Sequence, residues 1–82
     1  MTTSKATILI VEDEAKMRRL LELSLGEDGF TTLSAANAED GLKFLREEPV
    51  DLIVTDLKLP GMGGLEFLQA AKRLNSALPV VV

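Results

Sequence analysis

Apolar and polar stretches alternate along the chain in a way that predicts seven elements. Ala6 to Val11, ATILIV, is a continuous apolar run rich in β-branched residues. That is the pattern of a central parallel strand covered on both faces. The acidic step Glu12-Asp13-Glu14 ends it. A helical pattern follows, with Met17, Leu20, Leu21 and Leu25 on a shared face and Lys16, Arg18, Arg19 and Glu22 mostly elsewhere. Gly26 or Gly29 can stop this helix, and Gly29 is the better left-handed cap because Phe30 opens the next strand. Phe30 to Ala35 is a weaker, more polar strand, as expected of a sheet edge. Asn37 then stands as an N-cap with Asp40 three residues on, in a capping-box-like arrangement. Ala38, Gly41, Leu42 and Leu45 form the inner face of the second helix, and Pro49 ends it.

Val50 to Thr55 is the next buried strand. A loop rich in Pro and Gly runs from Leu57 to Gly64. A third helix is predicted from about Leu65 to Leu74, with Leu65, Leu68 and Ala71 on one face. After the connector Asn75-Ser76-Ala77, Pro79 to Val82 begins another strand. The order is β-α-β-α-β-α-β. Such alternation implies a parallel sheet with helices on both faces and right-handed crossovers.

Composition narrows what such a fold can do here. The chain has 82 residues, enough for one small domain; a domain of this size buries only about 60% of the surface its unfolded chain exposes. The net charge of -4 argues against a nucleic-acid or anionic-membrane surface in this segment. Cysteine and histidine are both absent, which removes disulfides, thiolate and ordinary zinc sites, and any Cys/His or Ser/His catalytic pair. A metal must therefore sit on oxygen ligands, which points to Mg²⁺, Mn²⁺ or Ca²⁺. No apolar run is long enough to span a bilayer, and ILIV is too short for a signal-peptide core, so a cytoplasmic protein is the expectation.

Two buried strands end in acids: ILIV runs into Glu12-Asp13, and LIVT runs into Asp56. Open α/β sheets bind ligands beyond the carboxyl ends of their strands, where strand order reverses. For the order 2-1-3-4-5 that point lies between strands one and three. Adjacent strands lie about 4.8 Å apart, so terminal carboxylates on both fall within reach of one ion. Close carboxylates raise one another's pKa unless a cation sits among them. Few protein ligands with several open positions suit Mg²⁺. Each acid also has a simpler reading. Asp13 can be a charge near a helix start, and Asp56 can be a turn former. Glu14 and Asp51 are read as a helix-start charge and a strand-start surface charge, and Arg18 and Arg19 as a solvated face. The Lys58 side chain is read as solvated, with its backbone carbonyl an available oxygen ligand.

ILIVEDE, PVDLIVTDLKLPGMGGLEFL and LPVVV together resemble the receiver domain of two-component response regulators, from Ala6 to the end of the chain. The resemblance implies a flavodoxin-like fold and a phosphoryl group accepted on Asp56 from a histidine kinase. It also implies Mg²⁺ held directly by Asp13, by Asp56 and by the Lys58 carbonyl, with Glu12 acting through water. The wording TDLKLPGM is similar to regulators whose output is a σ54-dependent ATPase and DNA-binding module. The implied role is a signalling switch coupled to transcription, not an enzyme.

The physics suits this role. A carboxylate can be a nucleophile that forms an aspartyl phosphate, and no P-loop sequence is present to bind ATP as direct donor.

Two features depart from the family. Gly63 stands where many members have Asp, so the third helix is expected to lack a side-chain cap. Family receivers also continue past strand four, with a Ser/Thr ending strand four and a Lys ending strand five that contact the phosphoryl group. Here the chain ends at Val82. The expectation is a single partial receiver over residues 1–82, without the fourth helix, fifth strand and fifth helix, and impaired in switching. Its edge at Val80, Val81 and Val82 is then expected to self-associate, covered by a second copy, a swapped element or another chain, and an output domain or second receiver copy is an expected partner.

The alternative reading is an assembly module that only dimerises through that edge. A phosphatase of the haloacid-dehalogenase type ranks lower, because Lys58 stands where that family has a second Asp. A flavodoxin-like cofactor binder ranks lower still, because no aromatic residue stands in the strand-end loops.

Overall fold

The computed structural model describes residues 6–55 and 63–81. In chain order the elements are β1 (Thr7–Val11), α1 (Ala15–Glu27), β2 (Thr31–Ala35), α2 (Ala38–Glu47), β3 (Leu52–Thr55), α3 (Gly64–Leu74) and β4 (Val80–Val81). The four strands form one parallel sheet in the order β2-β1-β3-β4. The predicted order and the edge position of β2 therefore hold. β1 is central, with Ile8, Leu9, Ile10 and Val11 each at most 2% exposed.

Successive side chains on a strand point to opposite faces. Leu9, Val11, Ala35 and Ile53 join one core with Ala38 and Leu42 of α2, Phe67 and Ala71 of α3, and Leu78. Ile8 and Ile10 are buried outside that core, on the face where α1 packs on β1 and β2. Helices thus cover both faces.

Local chemistry sets the helix ends. Asn37 caps α2 by accepting the Asp40 N–H at 2.8 Å, as the Asn-Asp spacing predicts. The Asp40 carboxylate accepts from the Asn37 side-chain amide at 3.3 Å instead of closing a full capping box. Gly29, at φ 93°, ends α1 in the left-handed conformation that favours glycine. Phe30 N–H donates to the Leu25 carbonyl and Gly29 N–H to that of Gly26, the Schellman arrangement. Phe30 itself precedes β2. Gly63 is the N-cap of α3, with no side-chain cap bond, as expected.

Two helix faces differ from the periodicity reading. In α1 the half-buried stripe is Arg18, Leu21, Glu22 and Leu25, while Met17 and Leu20 are exposed. Five large apolar residues spread around α1 leave its rotation open, and two polar contacts settle it. Arg18 reaches the Glu12 carbonyl, and Glu22 accepts from the Ser34 hydroxyl. In α3 the inner residues are Gly64, Phe67 and Ala71, and Leu65 is 64% exposed. Phe67 is fully buried because α2 leaves room for its ring.

That room depends on Gly41. A Cβ there would lie 2.9 Å from Val11 Cγ2 and 3.1 Å from Phe67 Cε1. Gly41→Ala should therefore destabilise the fold by about 1–3 kcal/mol through overpacking, although alanine is the better helix former by about 1 kcal/mol. Gly26→Ala, with nothing within 4 Å of the added carbon, should be neutral or stabilising. Urea unfolding of the two variants checks the opposite signs.

Candidate functional site

β1 and β3 pair in register, with Val11 opposite Thr55. Both strands therefore end at the same edge of the sheet. Past Val11 the chain continues for one more ladder bond, from Glu12 N–H to the Ala35 carbonyl at 3.0 Å. It then turns through Glu12 and Asp13 into Glu14, the N-cap of α1. Glu12 is half-buried and Asp13 is exposed at the sheet end. Glu12 Oε1 accepts the Glu14 N–H at 3.2 Å, which folds the carboxylate over the turn. Thr55, the last residue of β3, is a buried polar side chain.

Asp56 and Lys58, read from sequence as phosphoacceptor and carbonyl ligand, lie outside the described residues, as does Val82. Among the described residues no three Asp or Glu side chains cluster to hold a metal. What these residues contribute is the Glu12-Asp13 pair at the end of the central strand. Its all-oxygen donor chemistry fits a hard divalent cation.

The acids read as structural keep those places, with one addition. Glu14 is a helix-start charge whose side chain makes no cap bond. Asp51 is exposed at the opposite end of the sheet, where its Oδ2 accepts the Thr7 N–H at 2.7 Å and its own N–H donates to the Thr7 carbonyl at 2.8 Å. It ties the start of β1 to the segment leading into β3.

The arginines divide. Arg19 is exposed and forms a 3.5 Å ion pair with Glu22, a contact worth about 0–1 kcal/mol. Arg18 is half-buried, and its guanidinium donates to the Glu12 carbonyl at 2.9 Å. The reading of Arg18 as solvated was therefore wrong. Its spacing with Leu21 and Leu25, three and seven residues on, is the helical signal that places it in the inward stripe.

A groove of about 470 Å³ lies alongside, lined by Arg18, Ser34, Ala36, Asp40, Lys43 and Glu47 among others. Two basic and two acidic side chains balance there, so the groove presents no net charge to an ion.

Glu22 links α1 to the edge strand. The hydrogen bond from Ser34 holds its carboxyl below the usual carboxylate range. Desolvation opposes this, while the Arg19 hydrogen bond and the charges of Arg19 and Arg18 add to it.

The family follows from comparison with known proteins. Residues 8–82 match the response regulator receiver domain, and the chain belongs to that family. It is 43% identical over 76 residues to the transcriptional regulatory protein AfsQ1 of Streptomyces coelicolor, covering 93% of this chain and 33% of AfsQ1. It is 38% identical to the response regulator protein PilR of Pseudomonas aeruginosa, covering 96% of this chain and 18% of PilR. The chain thus spans a third or less of these two relatives.

The response regulator TrrA of Thermotoga maritima, in complex with Mg²⁺-BeF, superposes with a TM-score of 0.87 at 32% identity, over 92% of this chain and 65% of TrrA. TrrA has also been solved in complex with the histidine kinase ThkA. The flavodoxin-like receiver fold expected from sequence is thereby confirmed. Among the described residues, no helix is long and apolar enough to cross a membrane.

The Ser34 contact has a pH signature. Because the folded-state pKa of Glu22 is depressed, its contribution to stability is present above the unfolded carboxylate pKa and lost as pH falls through the folded value. Ser34→Ala should raise the Glu22 midpoint in a carboxyl-detected NMR titration. The stability gap between wild type and variant should shrink as pH falls through the acidic range.

Proposed function

We propose that the chain is the phosphoacceptor receiver of a two-component system, a signalling switch that takes a phosphoryl group on Asp56 from a histidine kinase. One observation carries the reading: the in-register pairing of Val11 with Thr55. The two central strands end together at that sheet edge, and acids follow both residues in sequence, Glu12-Asp13 after Val11 and Asp56 after Thr55. In the transfer, an Asp56 carboxylate oxygen forms the O–P bond as the P–N bond of the phosphohistidine breaks in line. The imidazole departs with the bonding pair.

Mg²⁺ supplies charge neutralisation at the phosphoryl oxygens when bound. Asp13, Asp56 and the Lys58 carbonyl would hold it directly. Glu12, whose carboxylate already accepts the Glu14 N–H, would act through water. The TrrA complex with Mg²⁺-BeF supports the metal, and the ThkA–TrrA complex supports the kinase as partner. The name of AfsQ1 supports a transcriptional output, carried by a further domain. The net charge of -4 fits a cytoplasmic segment that leaves nucleic acid and membranes to other parts of such a protein.

Incubation with Mg²⁺ and acetyl phosphate should add one phosphoryl group to the wild-type chain, read by intact mass. Asp56→Asn should abolish the addition. A variant that keeps the mass shift overturns the assignment.

A second reading is favoured by β4. Among the described residues this two-residue strand pairs only with β3, and Val81 is 52% exposed. Exposed β-branched edges template pairing with another chain, so this chain on its own should self-associate through Val80 and Val81. Light scattering should show a mass that rises with concentration; a constant monomer mass overturns this reading.

A further inference from the structure

The turn that carries Glu12 and Asp13 is short, exposed on its outer side, and followed at once by α1. The Glu12 N–H is anchored to the Ala35 carbonyl, and the Glu14 N–H to the Glu12 carboxylate. Further grip comes from one residue a turn into α1. Arg18 uses its backbone N–H to hold the Glu14 carbonyl at 2.9 Å and its guanidinium to hold the Glu12 carbonyl at 2.9 Å. The two bonds bracket Asp13.

The Glu12 carbonyl belongs to the peptide whose nitrogen is that of Asp13. Fixing that C=O fixes the plane from which the Asp13 side chain departs. A bond from a charged donor is stronger than a neutral one, and this bond is partly buried. Sequence reasoning gave Arg18 and Arg19 the same role, yet only Arg18 touches the acid turn.

We infer that Arg18 is a positioning residue for the cation site, orienting the Glu12-Asp13 turn so that the Asp13 carboxylate meets Mg²⁺ already aligned. This inference rests on the receiver reading above and adds a part to it. Ligand-orienting contacts of this kind typically change metal affinity by 10–100-fold when removed. The sign of the effect separates positioning from simple charge. A nearby cation repels Mg²⁺, so if Arg18 acted only through space, its removal would tighten binding. If it positions the turn, removal loosens binding in spite of the lost repulsion.

The test is calorimetric titration with Mg²⁺ alone on wild type, Arg18→Met, Arg19→Met and Asp13→Asn. Amide exchange of the Glu14 N–H in metal-free protein accompanies it. Arg18→Met is expected to weaken binding about ten-fold and to speed Glu14 exchange. Arg19→Met, which removes the same charge one position along, should leave both unchanged or bind slightly tighter. If Arg18→Met does not fold, Arg18→Gln takes its place with the same expected sign. Mg²⁺ binding by the Arg18 variant as tight as wild type or tighter, while Asp13→Asn is impaired, overturns the positioning role alone. A wild-type chain that binds no Mg²⁺, or an Asp13→Asn variant that binds normally, overturns the site itself and the inference with it.

Discussion

The structure depends on β1 being paired along both edges. Its Thr7–Val11 run is bonded in parallel register to β2 on one side and to β3 on the other, with four side chains almost fully buried. Parallel strands cannot be joined by tight turns, so each connection must cross over a face of the sheet. That requirement puts α1 on one face and α2 with α3 on the other. It also directs all strand ends the same way. The turn after β1, the cap of α2 at Asn37 and the end of β3 at Thr55 therefore gather at one edge. The position of the Glu12-Asp13 turn at that edge is a consequence of the parallel arrangement.

The two faces are held by different means. On the α2–α3 face, packing is tight enough that one absent side chain matters. Gly41 lets α2 approach Val11 closely, and the Phe67 ring occupies the space that a methyl group would contest. On the α1 face, no residue of the helix is fully buried. Its rotation is set by two polar contacts along its inward stripe, Arg18 to the Glu12 carbonyl and Glu22 to Ser34. The looser face thus adjoins the acid turn, and one of the contacts that orient α1, from Arg18, also holds the turn.

Much of the fold was legible because its signals are local. Continuous β-branched runs marked β1 and β3, the polar run marked the edge strand β2, and Asn37 and Gly29 marked helix ends whose chemistry the structure reproduces. The acid pair was legible because it follows a buried strand directly. Helix facing was less so. Met17 and Leu20 are as apolar as Leu21 and Leu25, and hydrophobicity alone cannot choose among overlapping arcs. Phe67 was overlooked for Leu65 and Leu68 because helical period does not say which arc another helix will cover.

The chain's own pattern of residues was enough to set the order of elements, their approximate ends, the parallel sheet, and the two acids that close β1, since each follows from backbone preference and burial within a few residues. The tertiary structure alone decided the register that sets Val11 beside Thr55, the closeness of α2 at Gly41, and the place of Arg18 against the Glu12 carbonyl. Those depend on where separate elements meet in space. A guanidinium finds a carbonyl six residues behind it only once strand, turn and helix have been fixed against the same sheet.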